Sequence, residues 1–126
     1  MKKKIILIVE DNENNRELER DLLKLAGFKV LEAVDGANGV EIAMHSVPDC
    51  IIMDARLPDM RGIDAAKILL RDERTHDIPV IFVTASVVGE YVEEIKTLDK
   101  AMYISKPINT RTFASDIKKL LKSSKR

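Results

Sequence analysis

Residues 5–9, 50–53 and 80–83 are apolar almost without interruption. Runs this short, with no polar alternation, are the pattern of parallel strands covered on both faces. Weaker runs at 30–33 and 102–105 supply two more strands. Between these runs apolar residues recur at helical spacing. Leu18, Leu22 and Leu25 precede Gly27, which suits a helix end. Ala37, Val40 and Met44 mark a second helix that stops before Pro48, Ile63, Ala66 and Leu70 a third, and Val88, Val92 and Ile95 a fourth. Phe113, Ile117, Leu120 and Leu121 mark a fifth, with Lys118, Lys119 and Lys122 placed toward its negative C-terminal end. Five strand–helix units in strict alternation predict an α/β domain with a doubly wound parallel sheet, because each parallel crossover needs a helix and is nearly always right-handed.

In such a sheet every strand ends on the same edge, and ligands bind there, where the winding direction switches. The predicted exits converge chemically. The first strand runs into Glu10 and Asp11, the third into Asp54, the fourth into Thr84, and the fifth into Lys106 followed by Pro107. Three carboxylates with room for water form a hard oxygen site suited to Mg²⁺. A carboxylate is also a competent nucleophile for phosphoryl transfer. A threonine hydroxyl and a lysine ammonium supply the donors that phosphoryl oxygens require as their charge develops.

Taken singly, each residue has a plainer reading. Glu10 and Asp11 favour the positive end of the first helix, with Asn12 or Asn14 as its cap. Asp54 reads as a turn residue ahead of Pro58, Thr84 as a helix cap, Lys106 as a solvated amine, Tyr103 as a core aromatic, and Gly62 as a turn or helix-start glycine. The plain readings together require independent coincidences at four strand exits on one edge.

Composition narrows the class further. A chain of 126 residues fits one domain, 1–126, with a core over about 4–121 and a short basic C-terminal tail. Lys plus Arg, 21, equal Asp plus Glu, 21, so no global field draws the chain to nucleic acid or to a membrane. Cys50 is the sole cysteine and lies in an apolar run, as a core residue of a reducing compartment does. The apolar run after Lys2, Lys3 and Lys4 is too short for a signal peptide or membrane span, which makes a soluble cytoplasmic protein the expectation. His45 and His76 have no neighbouring ligand at metal spacing.

Four segments carry a family resemblance: "VEDN" at 9–12, "IIMDARLPDMRG" at 51–62, "VIFVTAS" at 80–86 and "YISKPI" at 103–108. In this order and spacing they resemble the response-regulator receiver domain, with similarity from about Lys4 to Leu121. The resemblance implies a (βα)5 flavodoxin-like three-layer sandwich with strand order 2-1-3-4-5. It implies Asp54 as phosphoacceptor, Glu10, Asp11, Asp54 and the Arg56 backbone carbonyl as ligands of Mg²⁺, Thr84 and Lys106 as the phosphate-sensing pair, and Tyr103 as the switch aromatic. The implied partners are a histidine kinase or histidine phosphotransfer protein upstream, and a protein target on the face of the fourth helix, fifth strand and fifth helix. Such a domain catalyses its own phosphorylation and dephosphorylation without being a conventional turnover enzyme, acts as a monomer or weak dimer, and binds no nucleic acid.

Departures from the family pattern stand at Arg56 and Ser86, positions that tune phosphoryl lifetime, and at Asp99, Lys100, Ala101 and Met102, where the family often carries glycine and alanine. Competing assignments fit less well. A haloacid-dehalogenase-type phosphatase places its nucleophile in a D-x-D arrangement after the first strand, where this chain has Glu10-Asp11-Asn12. A flavodoxin-like carrier needs a Ser/Thr/Gly-rich phosphate loop there, and "EDNENN" would repel phosphate. A receiver module belonging to a larger hybrid kinase or phosphorelay protein is the remaining alternative.

Overall fold

The computed structural model describes residues 3–85 and 90–124, so Ser86 and Val88 lie outside the described residues. The elements alternate as β1 (Ile5–Val9), α1 (Glu13–Leu25), β2 (Lys29–Ala33), α2 (Gly36–Ser46), β3 (Cys50–Asp54), α3 (Gly62–Leu70), β4 (Val80–Thr84), α4 (Glu90–Thr97), β5 (Ala101–Ser105) and α5 (Phe113–Ser124). All neighbouring strands pair in parallel, in the order β2-β1-β3-β4-β5. The first crossover leads to one side of β1 and the second returns to its other side. The winding therefore reverses between β1 and β3, and the crevice beyond their C-terminal ends receives Glu10, Asp11 and Asp54.

Successive side chains of a strand point to opposite faces, which sorts the core into two layers. On one face Leu7, Val9, Ile51, Met53 and Phe82 pack with Ala43, Ile63, Leu69 and Ile95 of α2, α3 and α4. On the other Ile6, Ile8, Ile52, Ile81 and Val83 pack with Leu23 of α1 and with Phe113 and Ile117 of α5. Each fully buried side chain of this size contributes about 1.5–3 kcal/mol relative to exposure, so the three central strands hold the sheet together. The edge strands β2 and β5 are only partly covered, which is why their apolar signal in the sequence is weak.

Helix α1 forms where a helix is expected but buries a different face. Leu18 is 40% and Leu25 87% exposed, whereas Leu23 is fully buried and Glu19 is 3% exposed. The leucines at 18, 22, 23 and 25 spread around the helix, so periodicity alone leaves its phase open by one residue, or about 100°. Packing selects Leu23 with Ala26 and Leu22 beside it, and thereby carries an acid inward. In α2 the buried positions are Gly36, Gly39 and Ala43, and Ala37 is exposed. A Cβ at Gly39 would run into Val9, so the small residue lets the helix lie close on β1.

The loop before α3 acts as a fastener. Asp59 accepts hydrogen bonds from the amides of Gly36 (2.8 Å) and Ala37 (2.9 Å), alongside the Asp35 cap on Asn38. These backbone donors hold the Asp59 carboxyl below its ordinary range. The turn into β5 is made without glycine: Lys100 itself adopts φ 64°, in the left-handed region that costs a residue bearing a Cβ roughly 1–2 kcal/mol.

Candidate functional site

Strand β1 ends in Val9, and the Glu10 amide still pairs with the Ala33 carbonyl at 3.0 Å, so Glu10 is an extension of the sheet. Its side chain is almost wholly buried, with Oε2 accepting from the Asn12 amide at 3.0 Å. Asn12 is the N-cap of α1, its side chain accepting from the Asn15 amide at 2.9 Å. Neither Glu10 nor Asp11 serves as that cap. The cap is thus Asn12, as the plain reading of the acid pair expects, and that reading leaves open why Glu10 is buried.

Carboxylate oxygens of Glu10, Asp11 and Asp54 all lie within 4.8 Å of one another. The group grades from buried Glu10 through partly buried Asp54 to exposed Asp11. Between two of them stands Lys106, its Nζ 3.4 Å from Glu10 Oε1 and 3.4 Å from Asp54 Oδ1. Lys106 is placed by the backbone, since its amide donates to the Thr84 carbonyl at 2.8 Å and continues the β4–β5 ladder.

Burial and repulsion act differently on the two partners. Burial raises the Glu10 pKa; the Asn12 amide and Lys106 oppose this, while the neighbouring Asp54 adds to it. For Lys106 burial alone would lower the pKa, but Asp54 and Glu10 together hold it above its ordinary value. The ammonium thus stays charged.

Asp54, Ala55, Arg56, Thr84, Ala85 and Lys106 line an open cleft of about 370 Å³ above this cluster. Thr84 is 2% exposed at the end of β4. Gly62 opens α3 hard against β3: its amide donates to the Ala55 carbonyl at 2.8 Å, and a Cβ there would collide with the Asp54 backbone carbonyl. Tyr103 lies on β5 in register with Phe82, 37% exposed and outside the cleft lining. A larger concavity of about 510 Å³ lies between the start of β1 and the end of α5, lined by Phe28 and lysines including Lys4 and Lys118. It offers cations over an apolar floor, with none of the acids that a metal or phosphoryl-transfer site requires.

Two residues near the cleft were not singled out in the sequence. Glu19 projects from α1 beside Asn15, Leu18, Lys106 and Ile108 around a 30 Å³ cavity. Burial, with the charges of Glu10 and Asp54 against that of Lys106, pushes its pKa up to about 8. Its only signal in the sequence is an acid one position off a leucine stripe. Tyr91 of α4 donates its hydroxyl to the Ala55 carbonyl at 3.2 Å and packs edge-on against Phe82, ring centroids 6.3 Å apart. It is the single aromatic of α4, "EYVEEIKT", whose other apolar residues are Val92 and Ile95.

The donor set fits a hard divalent cation. Carboxylates from two strand ends converge on a cleft with room for coordinated water, an arrangement suited to Mg²⁺. A five-stranded parallel sheet wound in the order 2-1-3-4-5, with an acidic site at its switch point, defines a CheY-like flavodoxin fold.

Residues 6–118 match the response regulator receiver domain, and the chain belongs to that family. Among relatives, it is 39% identical over 118 residues to the polar-differentiation response regulator DivK of Brucella ovis, covering 94% of this chain and 96% of that protein. The DivK of Brucella anthropi is 38% identical over the same coverage. Among solved structures, the chemotaxis response regulator CheY4 of Vibrio cholerae superposes with a TM-score of 0.88 at 24% identity, over 94% of this chain and 99% of that one. The receiver domain of the sensor histidine kinase PA1611 of Pseudomonas aeruginosa, solved with a magnesium ion coordinated in its active-site cleft, gives 0.86 at 26% identity over 96% and 99%.

Receiver domains are signalling proteins of two-component systems that interact with kinases, phosphotransfer proteins and downstream targets; they are not conventional enzymes. No helix among the described residues is long and apolar enough to cross a membrane.

Proposed function

We propose that this chain, as a single cytoplasmic receiver domain over 1–126, accepts a phosphoryl group on Asp54 from a phosphohistidine of a kinase or phosphotransfer protein. The observation that carries this reading is Lys106 held 3.4 Å from Asp54 Oδ1 at the mouth of an open cleft. An Asp54 oxygen forms the new O–P bond while the donor's P–N bond breaks and its electron pair leaves with the imidazole nitrogen. Lys106 and Thr84 then face the phosphoryl oxygens as cation and hydroxyl donor. The same groups support slow hydrolysis of the acyl phosphate by the domain itself.

Glu10, Asp11, Asp54 and the Arg56 backbone carbonyl would hold Mg²⁺, in keeping with the magnesium ion in the cleft of the PA1611 receiver. Bound there, the ion supplies positive charge to phosphoryl oxygens. Glu10→Gln combined with Asp11→Asn should weaken Mg²⁺ binding by at least tenfold, since the oxygens left cannot offset the ion's dehydration. Titration calorimetry giving equal affinity for the double variant would contradict this.

Signal output would pass to a protein partner on the face of α4, β5 and α5, where Tyr103 is already partly exposed. Thr84 ends β4, ahead of α4, and Lys106 directly follows β5, so drawing both toward a phosphoryl group shifts α4 and β5 between two discrete arrangements. Amide shifts on adding beryllofluoride, a phosphoryl mimic, should therefore extend from Asp54 to 91–105. Changes confined to residues lining the cleft would speak against this output face. The test of the whole reading is incubation with acetyl phosphate and Mg²⁺, followed by intact mass: one added phosphoryl group supports it, and an unmodified chain rejects it.

A further inference from the structure

Ala55, the residue that follows Asp54, is held from two directions. The Ala55 carbonyl accepts from the Gly62 amide at 2.8 Å and from the Tyr91 hydroxyl at 3.2 Å, while the Ala55 amide reaches Val83 at 3.4 Å. Both acceptor positions of one carbonyl are thereby used, and one donor comes from a different helix. Two ion pairs run beside this bond. Arg61, which bridges to Arg56 across the loop, reaches Glu94 at 3.0 Å, and Lys67 reaches the same carboxylate at 3.8 Å. Those side chains are 37–50% exposed, so they contribute little and are screened by salt. The Tyr91 bond is sheltered by comparison. Burial pushes the phenol up to about 12, which keeps it a neutral donor across the working pH range.

Resting on the proposed Mg²⁺ site, we propose that Tyr91 is a positioning residue: its hydrogen bond to the Ala55 carbonyl couples cation binding at the acidic cluster to the position of α4. The Ala55 and Arg56 carbonyls belong to successive peptide planes joined through the Arg56 φ and ψ, and the Arg56–Arg61 bridge restrains that joint, so fixing the Ala55 carbonyl limits where the Arg56 carbonyl points. A cation that draws on the Arg56 carbonyl then shifts the plane that Tyr91 holds. Linkage makes this reciprocal: a partner that moves α4 alters cation affinity by the factor through which the cation favours that partner. This connection runs from the Asp54 loop straight to α4 and does not pass through Thr84 or Tyr103.

Tyr91→Phe tests it, because the ring against Phe82 stays and only the hydroxyl goes. Mg²⁺ is titrated into the full chain and into the variant while the amides of Ala55, Val92 and Ile95 are followed. In the parent protein all three should shift with one midpoint. In the variant Mg²⁺ affinity should fall roughly two- to tenfold, as expected for one neutral hydrogen bond, and the α4 amides should stop following Ala55. Equal affinity with α4 still following overturns the proposal. If Mg²⁺ leaves Ala55 unmoved in both proteins, the metal site itself is wrong and the coupling falls with it. Should the variant fail to fold, hydrogen exchange of the parent decides: protection of α4 amides must rise with Mg²⁺, and unchanged protection overturns the coupling.

Discussion

Asp54→Asn will emerge from acetyl phosphate and Mg²⁺ with its mass unchanged, whereas the parent chain gains one phosphoryl group. The reason is chemical and local. An amide oxygen has neither the charge nor the lone-pair availability to displace a phosphoryl leaving group, so the acceptor is removed without altering its shape. Asparagine still offers an oxygen to Lys106 at the position of Asp54 Oδ1, and the backbone of β3 is untouched, so the fold should survive. The neighbouring carboxylates are poor substitutes. Glu10 is buried and already engaged by the Asn12 amide and Lys106, and Asp11 is exposed beyond the cleft lining. Labelling of the variant should drop to background. If it takes up label as the parent does, Asp54 is not the acceptor, and peptide mapping would then name the residue that is.

The central strands were legible because burial on both faces leaves no choice of residue: β1, β3 and β4 are nearly pure aliphatic runs. The convergence of the candidate residues was legible for a related reason. Topology forces strand exits onto one edge, so Glu10, Asp11, Asp54, Thr84 and Lys106 could be placed together without a single distance. Helix phase was not legible. A stripe of leucines on α1 satisfied the periodicity, but the sheet chose the neighbouring face with Leu23 and Glu19, a decision made by three-dimensional packing. Tyr91 and Asp59 escaped because their partners are backbone groups 36 and 22–23 residues away, and backbone acceptors and donors leave no mark in a sequence. Lys106 was expected at the site, but as a donor to phosphoryl oxygens. The structure also sets it between Glu10 and Asp54, where it relieves the repulsion that three crowded acids would otherwise suffer.

Glu19→Gln should make the protein more stable than its parent at pH 9 and leave it equal at pH 4. Glu19 is 3% exposed, has no ion pair among the described residues, and sits within the fields of Glu10 and Asp54. Its folded pKa, about 8, stands above the ordinary 4.5. The fold therefore prefers the protonated acid. That preference contributes fully below about 4.5 and is lost as pH rises through about 8, because the unfolded chain then accommodates the carboxylate more easily. The interval, at about 1.4 kcal/mol per pH unit, sets a ceiling near ~5 kcal/mol, and relaxation with water entry lowers the expectation to ~2–4 kcal/mol. Glutamine keeps the shape of the neutral acid and does not titrate. Glu10, whose pKa is also raised, titrates in both proteins, and its repulsion of a charged Glu19 is part of the shift that glutamine removes. EDTA removes metal linkage from the comparison. A neutral Glu19 also leaves the Lys106 charge to Glu10 and Asp54, so an acid buried beside the cleft is tolerated only while it holds its proton. Urea unfolding of both proteins at pH 4, 7 and 9 decides the matter: a difference that does not grow between pH 7 and 9 would mean that Glu19 already carries its charge in the folded protein.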